Sequence, residues 1–300
     1  MGKVIVVGSS NTDMVFSSEK IPAPGETVLG KDFHIMPGGK GANQAVAAAR
    51  AGAEVDFIAK VGNDDFGRRA IEGYRKDDIG VGAILTDNEK PSGTAMILVD
   101  TKNGQNSIVV APGANGALTP EDIYQSEAII NSADVLLLQL ETPLETVHAA
   151  LKTAKANNVT TILNPAPAQF LSKEILELVD IITPNETETE LLTQIQPNDL
   201  ESARLAASKL MTDVNTAVVI TMGENGAYYL SLKNGEGLVP AQKVEALDTT
   251  AAGDVFNGYL AAYIADGFNV LQAIPTANKA ASICVTRMGA QPSIPFRKEL

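Results

Sequence analysis

Three hundred residues, 45% hydrophobic and 20% charged, predict a soluble globular chain of one large or two modest domains. The net charge of −13 excludes a broad nucleic-acid-binding surface, so any phosphate site must rely on local backbone amides and a few cations. The single cysteine, Cys284, excludes a disulfide framework and a thiolate zinc cluster, and the apolar run 280–285 around it predicts a buried, inert thiol.

The first element, Lys3–Val7, reads as a strand buried on both faces and ending in a turn at Gly8. The chain enters it with no leader-like segment and holds no apolar run of membrane-spanning length, which predicts a cytoplasmic protein without membrane contact. Gly8-Ser9-Ser10-Asn11-Thr12-Asp13 should then lie at the carboxyl edge of a sheet, where open α/β folds bind ligands. Asn11 and Asp13 alternate along an extended piece and together suit neighbouring sugar hydroxyls.

Residues 12–36 have no helical period and carry one strand-like piece, 27–29. Pro37-Gly38-Gly39-Lys40-Gly41-Ala42-Asn43-Gln44 follows and opens an Ala-rich helix, 41–51, closed by Gly52. Glycines there bring backbone close to a ligand, Lys40 adds a cation and Asn43 a polar reach; glycines needed only for packing are the competing explanation. A strand over 54–59 and a helix over Asp65–Lys76 come next. Residues 92–111 again lack a helical period, with strand-like pieces at 94–99 and 106–110 around the hairpin signal Asn103-Gly104. Residues 12–36 and 92–111 therefore predict a small antiparallel sheet that covers a site on a single α/β domain spanning 1–300.

Helices are expected over 121–131, 143–157, 200–211, Ala252–Ala265 and 270–287, and strands over 135–140, Thr160–Leu163, Ile181–Ile182 and Ala217–Thr221. The alternation predicts a doubly wound, mainly parallel sheet with helices on both faces. Glu141 falls at the carboxyl end of a strand. Asn185 and Glu188 are spaced i, i+3, which suits either water-mediated Mg²⁺ handling or a plain helix cap. Thr221-Met222-Gly223-Glu224-Asn225-Gly226 fits a nucleotide-touching turn or a tight hairpin equally. His34 and His148 lack metal-ligand spacing.

The most informative stretch is Asp248-Thr249-Thr250-Ala251-Ala252-Gly253-Asp254. It sets a carboxylate, Asp254, after small residues at a helix start, where free amides attract anions. Such a carboxylate can take a proton from a hydroxyl while backbone N–H groups hold the charge of a transferring phosphoryl group; a simple capped helix start is the equal alternative. The helix N-terminus should keep Asp254 ionised and therefore weakly basic.

These clusters resemble the carbohydrate kinases of the PfkB (ribokinase) family, carried by Gly38-Gly39-Lys40-Gly41-Ala42-Asn43 and by 248–258. Asn164-Pro165-Ala166-Pro167 and Gly289-Ala290-Gln291-Pro292-Ser293 add to the likeness. The resemblance implies ATP-dependent phosphorylation of D-ribose at O5, with Asp254 as base and a β-sheet lid that often mediates homodimers. It implies ribose contacts from Asn11, Asp13, Gly39, Lys40, Gly41, Ala42, Asn43 and Glu141. Nucleotide contacts would come from Asn185, the turn Thr221, Met222, Gly223, Glu224, Asn225 and Gly226, and from Gly253 and Asn278. Glu188 would organise Mg²⁺ indirectly. A K⁺ site would use Asp248, Ser293 and backbone oxygens of Thr250, Cys284, Arg287 and Gly289. The alternatives are another sugar, such as fructose or 2-keto-3-deoxygluconate, and a non-catalytic sugar or nucleotide sensor.

Overall fold

The computed structural model describes residues 1–300. In chain order the strands and helices begin with β1 (Lys3–Val7), β2 (Asn11–Ser18), β3 (Asp32–Gly38), α1 (Lys40–Arg50), β4 (Glu54–Gly62), α2 (Asp65–Lys76), β5 (Ile84–Asp87), β6 (Gly93–Asp100) and β7 (Asn106–Ala111). There follow α3 (Pro120–Gln125), α4 (Glu127–Ile130), β8 (Val135–Leu138), α5 (Leu144–Ala156), β9 (Thr160–Leu163), α6 (Lys173–Leu176), β10 (Ile181–Ile182) and α7 (Glu186–Thr193). The chain closes with α8 (Leu200–Leu210), β11 (Ala217–Thr221), β12 (Ala227–Ser231), β13 (Gly235–Val239), α9 (Ala252–Ala265) and α10 (Val270–Cys284).

Nine strands form one sheet in the order β13-β12-β11-β10-β9-β8-β1-β4-β5. It is parallel from β5 to β11 and antiparallel at β12 and β13. Alternate residues of β1 divide between two cores. Val4 and Val6 pack with the α1, α9 and α10 side, and Ile5 and Val7 with the α5 and α8 side. Both faces are thus covered, which is why the strand reads as continuously apolar. The strand order reverses about β1, which pairs with β4 on one side and β8 on the other. That reversal opens a crevice at the carboxyl ends of β1 and β8.

The second sheet has the order β3-β2-β6-β7. It corrects the expected all-antiparallel lid, because β2 and β6 pair in parallel. The β6–β7 hairpin turns at Gly104 as expected, with φ +73°. The strand expected at 27–29 is irregular, and the strand lies instead at Asp32–Gly38. Pro37 is tolerated within β3 because β3 is an edge strand, where a missing N–H costs no ladder bond. The expected helix 121–131 is broken at Ser126, whose hydroxyl donates back to the Asp122 carbonyl at 3.0 Å and competes with the helical ladder. The last helix stops at Cys284 rather than 287.

Phe16, Phe33, Ile35, Met96 and Val109 are exposed on the second sheet. The pairings Phe16↔Phe33, Met14↔Ile35, Met14↔Met96 and Met96↔Val109 put them on one face, opposite Asp13. No helix is long and apolar enough to cross a membrane.

Candidate active site

The crevice is floored where α1 meets the end of β1. A Cβ on Gly41 would lie 2.5 Å from the Ser9 nitrogen, and one on Gly8 would lie 2.8 Å from the Gly41 Cα. Gly39 has φ +91°, and a Cβ there would meet the Asn11 nitrogen at 2.7 Å. Gly41 and Ala42 are buried beneath the opening. Packing of helix on strand therefore accounts for Gly41 and Ala42, and of the motif it is Lys40 and Asn43 that carry polar atoms towards the site.

Glu141 lies just beyond β8 and is tied in two ways: its Oε2 accepts the Ser9 hydroxyl at 2.5 Å and the Lys40 N–H at 3.0 Å. Asn11 Oδ1 accepts from Asn115 Nδ2 at 2.7 Å, and Asn115 also bonds both main-chain groups of Ser10. Nothing in the sequence near residue 115 distinguishes it, so this clamp on the start of β2 was not anticipated.

Asp254 sits in the first turn of α9 and is 7% exposed. Its Oδ2 accepts from Asn43 Nδ2 at 2.9 Å and its Oδ1 from Gln44 Nε2 at 3.0 Å. Asn43 Oδ1 is buried without a partner in the protein, an acceptor suited to a substrate hydroxyl. Burial pushes the Asp254 carboxyl up from its ordinary value, against the Lys40 charge and the Asn43 and Gln44 amides that favour ionisation. Burial prevails over these groups, so Asp254 is more basic than the weak base expected of a carboxylate at a helix start.

Burial opposes the charge on Lys40, but Asp254, Glu141 and Glu188 around it hold the ammonium and raise its pKa overall. Asp13 is pushed up to about 6, first by burial and then by Glu141 and Asp254. Because its folded value exceeds the ordinary carboxylate value, the ionised Asp13 costs stability above about pH 6, and that cost disappears as pH falls towards the ordinary value of 3.8. Asp13→Asn is therefore expected to raise Tm at pH 7.5, with the gain shrinking at pH 4.5, while sugar affinity falls. Thermal melts at the two pH values and a KM for the sugar test this.

Ala251 caps α9 in the left-handed region at φ +63°, a conformation that costs a non-glycine residue about 1–2 kcal/mol. Gly253 differs: a Cβ there would meet nothing within 4 Å. Protein packing does not require that glycine, and the space it leaves faces a cavity of about 210 Å³ lined also by Lys40, Asn164, Asn185, Glu188 and Asp254. Gly253→Ala is expected to leave the fold as stable or up to about 1 kcal/mol more so, through helix propensity, while kcat/KM for the phosphoryl donor falls. Loss of stability without loss of activity would contradict this reading.

Asn185 and Glu188 both cap α7 and face this cavity. Asn185 Oδ1 accepts the Glu188 N–H at 2.8 Å, and Glu188 Oε2 accepts the Asn185 N–H at 2.9 Å. The capping reading of their spacing therefore holds, and the same two residues line the cavity. Thr221 lines the same cavity. Thr249 and Ala252 line it too, and they also line a second cavity of about 650 Å³ with Gly223, Glu224, Asn225 and Asn278. Met222 is instead buried in the core, and Gly226 is demanded by the β11–β12 turn, where a Cβ would lie 2.1 Å from the Val239 carbonyl oxygen. Asn278 is anchored through Nδ2 to the Val239 carbonyl at 2.9 Å.

Behind the α9 terminus, Asp248 accepts from the Thr250 and Gly289 N–H groups at 2.9 and 2.8 Å. Burial raises its pKa, but these hydrogen bonds prevail and hold it below the ordinary value. Cys284 is buried, with its sulfur 3.0 Å from the Ser293 hydroxyl and 3.7 Å from the Thr250 carbonyl oxygen. Asp248, Thr250, Cys284, Gly289 and Ser293 thus converge, while the Arg287 side chain turns away to pair with Glu299 at 2.7 Å.

The model of the pfkB family of carbohydrate kinases matches residues 1–297. The chain belongs to this family. The kinase of Haemophilus influenzae named ribokinase is 46% identical, over 98% of this chain and 95% of its own. The deoxyribokinase of Salmonella typhi is 37% identical, over 97% and 95% of the two chains. The structure of Arabidopsis thaliana ribokinase complexed with ribose and ATP superposes with a TM-score of 0.92 at 30% identity, covering 99% of this chain and 96% of that one. The nine-stranded sheet with its four-stranded companion is the architecture of these kinases.

Proposed function

We propose that this pfkB-family chain transfers the γ-phosphoryl group of ATP to O5 of D-ribose, with Asp254 as base. The observation that carries the reading is Asp254 itself. It is a buried carboxylate with raised basicity, standing beside an uncrowded helix N-terminus where a small polar cavity continues into a larger one. ATP would fill the larger cavity with its base and ribose, near Asn278, Gly223 and Asn225, and direct its phosphates past Thr249 and Ala252. The sugar would lie under the lid against Asn11, Asp13, Gly39, Lys40 and Asn43, with Asn43 Oδ1 accepting one hydroxyl.

The chain's own groups then divide the work. Asp254 accepts the O5 proton as the O5–phosphorus bond forms and the bond from the γ-phosphorus to the β–γ bridging oxygen breaks, with ADP leaving, and the amides of Ala251 to Asp254 receive the charge spreading over the transferred oxygens. Lys40 balances the phosphates from the sugar side. The lid excludes water, the competing acceptor.

Metal ions fit this site for a reason of charge. Glu141, Glu188 and Asp254 face a single cation, Lys40, and Asp13 adds a fourth carboxyl beside Glu141 and Asp254. A polyphosphate entering this region needs neutralisation that the protein does not supply. No cluster of three or more acidic, His or Cys residues forms a dedicated cage. That suits Mg²⁺ held mainly by phosphates and water, with Glu188 and Asn185 bonding its water shell. The single carboxylate Asp248, with backbone oxygens and the Ser293 hydroxyl, suits a monovalent ion such as K⁺, whose charge would support the adjacent anion hole.

The exposed apolar row on the lid, Phe16, Phe33, Ile35, Met96 and Val109, favours burial against the lid of a second copy in a homodimer. The deoxyribokinase relative favours one second reading, 2-deoxyribose as acceptor. The deciding experiment is ADP release across ribose, 2-deoxyribose, fructose, 2-keto-3-deoxygluconate and nucleosides, in potassium-only and sodium-only buffers. The expected result is the highest kcat/KM with ribose and a faster rate in potassium. Equal rates in the two salts would remove the K⁺ site, and no turnover with any acceptor would leave a sensor.

A further inference from the structure

Behind Asp254 lies a chain of buried side-chain hydrogen bonds that the proposed chemistry does not use. Gln44 is fully buried on α1. Its Oε1 accepts from Gln139 Nε2 at 2.6 Å, which leaves its Nε2 to donate to both Asp254 Oδ1 and Asn164 Oδ1, each at 3.0 Å. Asn164 Nδ2 donates to the Thr183 carbonyl at 3.1 Å, and the Thr183 hydroxyl donates to Asn257 Oδ1 at 2.6 Å. Asn257 Nδ2 donates to the Gly253 carbonyl at 2.8 Å. The path thus starts on the Asp254 carboxylate and returns to the peptide that carries the Asp254 N–H. It passes through the ends of β9 and β10 on the way.

We infer that Gln44 is a positioning residue for phosphoryl transfer, holding the base and the anion-hole peptide as one rigid unit, with its amide orientation set by Gln139. This rests on Asp254 being the base. A carboxylate with free rotation would spend time away from the substrate hydroxyl, and an amide with Oε1 towards Asp254 would repel its ionised form. Gln139 opposes that flip, because its Nε2 needs Gln44 Oε1 as acceptor. Gly8 belongs to the same device. A Cβ there would lie 2.1 Å from Gln139 Oε1, so only glycine leaves room for the Gln139 amide.

The test is a double-mutant cycle of Gln44→Met and Gln139→Met, which keep the side-chain length and remove the hydrogen bonds. Gln44→Met is expected to lower kcat about 10–100-fold, as for small misplacement of a reacting group, with the sugar KM changed less than about 3-fold. The acid limb of the kcat profile should move to higher pH, since a donor to the carboxylate is lost. Gln139→Met should give a smaller fall in kcat with the same direction of shift. The double variant should be no slower than Gln44→Met alone, because both act through one amide.

An unmoved acid limb with kcat within about 2-fold of the parent would overturn the inference. So would a rise in sugar KM at constant kcat, or independent, multiplicative losses. Should Gln44→Met not fold, the pH limb of Gln139→Met decides in the same way. Failure of Asp254→Asn to slow the enzyme would strike the base assignment instead, so the two failures are distinguishable.

Discussion

Asp254→Asn is expected to lower kcat by about 10²–10⁴-fold, the usual worth of a general base. The substitution keeps the shape of a 7%-exposed side chain and removes a carboxyl that burial has raised. Stability should therefore hold, or rise at neutral pH where the parent bears a buried charge, and the sugar should still bind. Because the active form is the carboxylate, parent kcat should fall on the acid side, with a limb above the ordinary aspartate value. Single-turnover rates across pH, together with sugar titrations by calorimetry, check both statements. Near-parental turnover in the variant would end the proposal for the mechanism.

The second large effect lies at a contact no catalytic argument mentions. A Cβ on Gly258 in α9 would lie 2.4 Å from Ala47 Cβ and 2.6 Å from the Gln44 carbonyl oxygen of α1. Two of its three nearest neighbours are backbone atoms, so no rotamer change relieves the clash. Gly258→Val is expected to cost about 1–3 kcal/mol or more by overpacking. It should also separate the helix that carries Lys40, Asn43 and Gln44 from the one that carries Asp254. Activity should fall further than the remaining folded fraction explains. Denaturant midpoints, with kcat measured well below the midpoint, separate the two losses, and a parental midpoint would show that α1 and α9 adjust freely.

Much of the fold was legible because its signals are local. The both-faces-apolar pattern of β1, the helix bounds of α2 and α9 and the short strands β9, β10 and β11 follow from side-chain periodicity and stop signals. The lid was legible only as an absence of helical period. Its parallel β2–β6 pairing joins segments some eighty residues apart, and no local pattern encodes a register across that distance. The site divides in the same way. Asp254 and its run of small residues stand out, although an acid is also ordinary at a capped helix start; it is the second Gly- and Asn-rich cluster at 37–44 that tips the reading towards chemistry.

The roles within the glycine motif were not separable from sequence. Gly41 answers to the backbone of Gly8 and Ser9, whereas Gly253 answers to no protein atom. Both read simply as glycine in the chain. Asn115 carries no motif at all, and Gln139, although it stands in the family-like run Gln139-Leu140-Glu141, gives no sign of its partner; both act through residues about a hundred positions away, Asn11 and Gln44 respectively.

What the chain determined by itself was the kind of chemistry: residue types and short spacings set hydrogen-bonding capacity and charge, and these are covalent facts. What only the tertiary structure decided was the strength and direction of that chemistry. It buried Asp254 so that its carboxyl is more basic than an ordinary aspartate, set three carboxylates against one lysine, and bent a path of amides back to the helix start. Desolvation and convergence depend on what distant segments bring to the same point, and that information resides in packing rather than in any local stretch of residues.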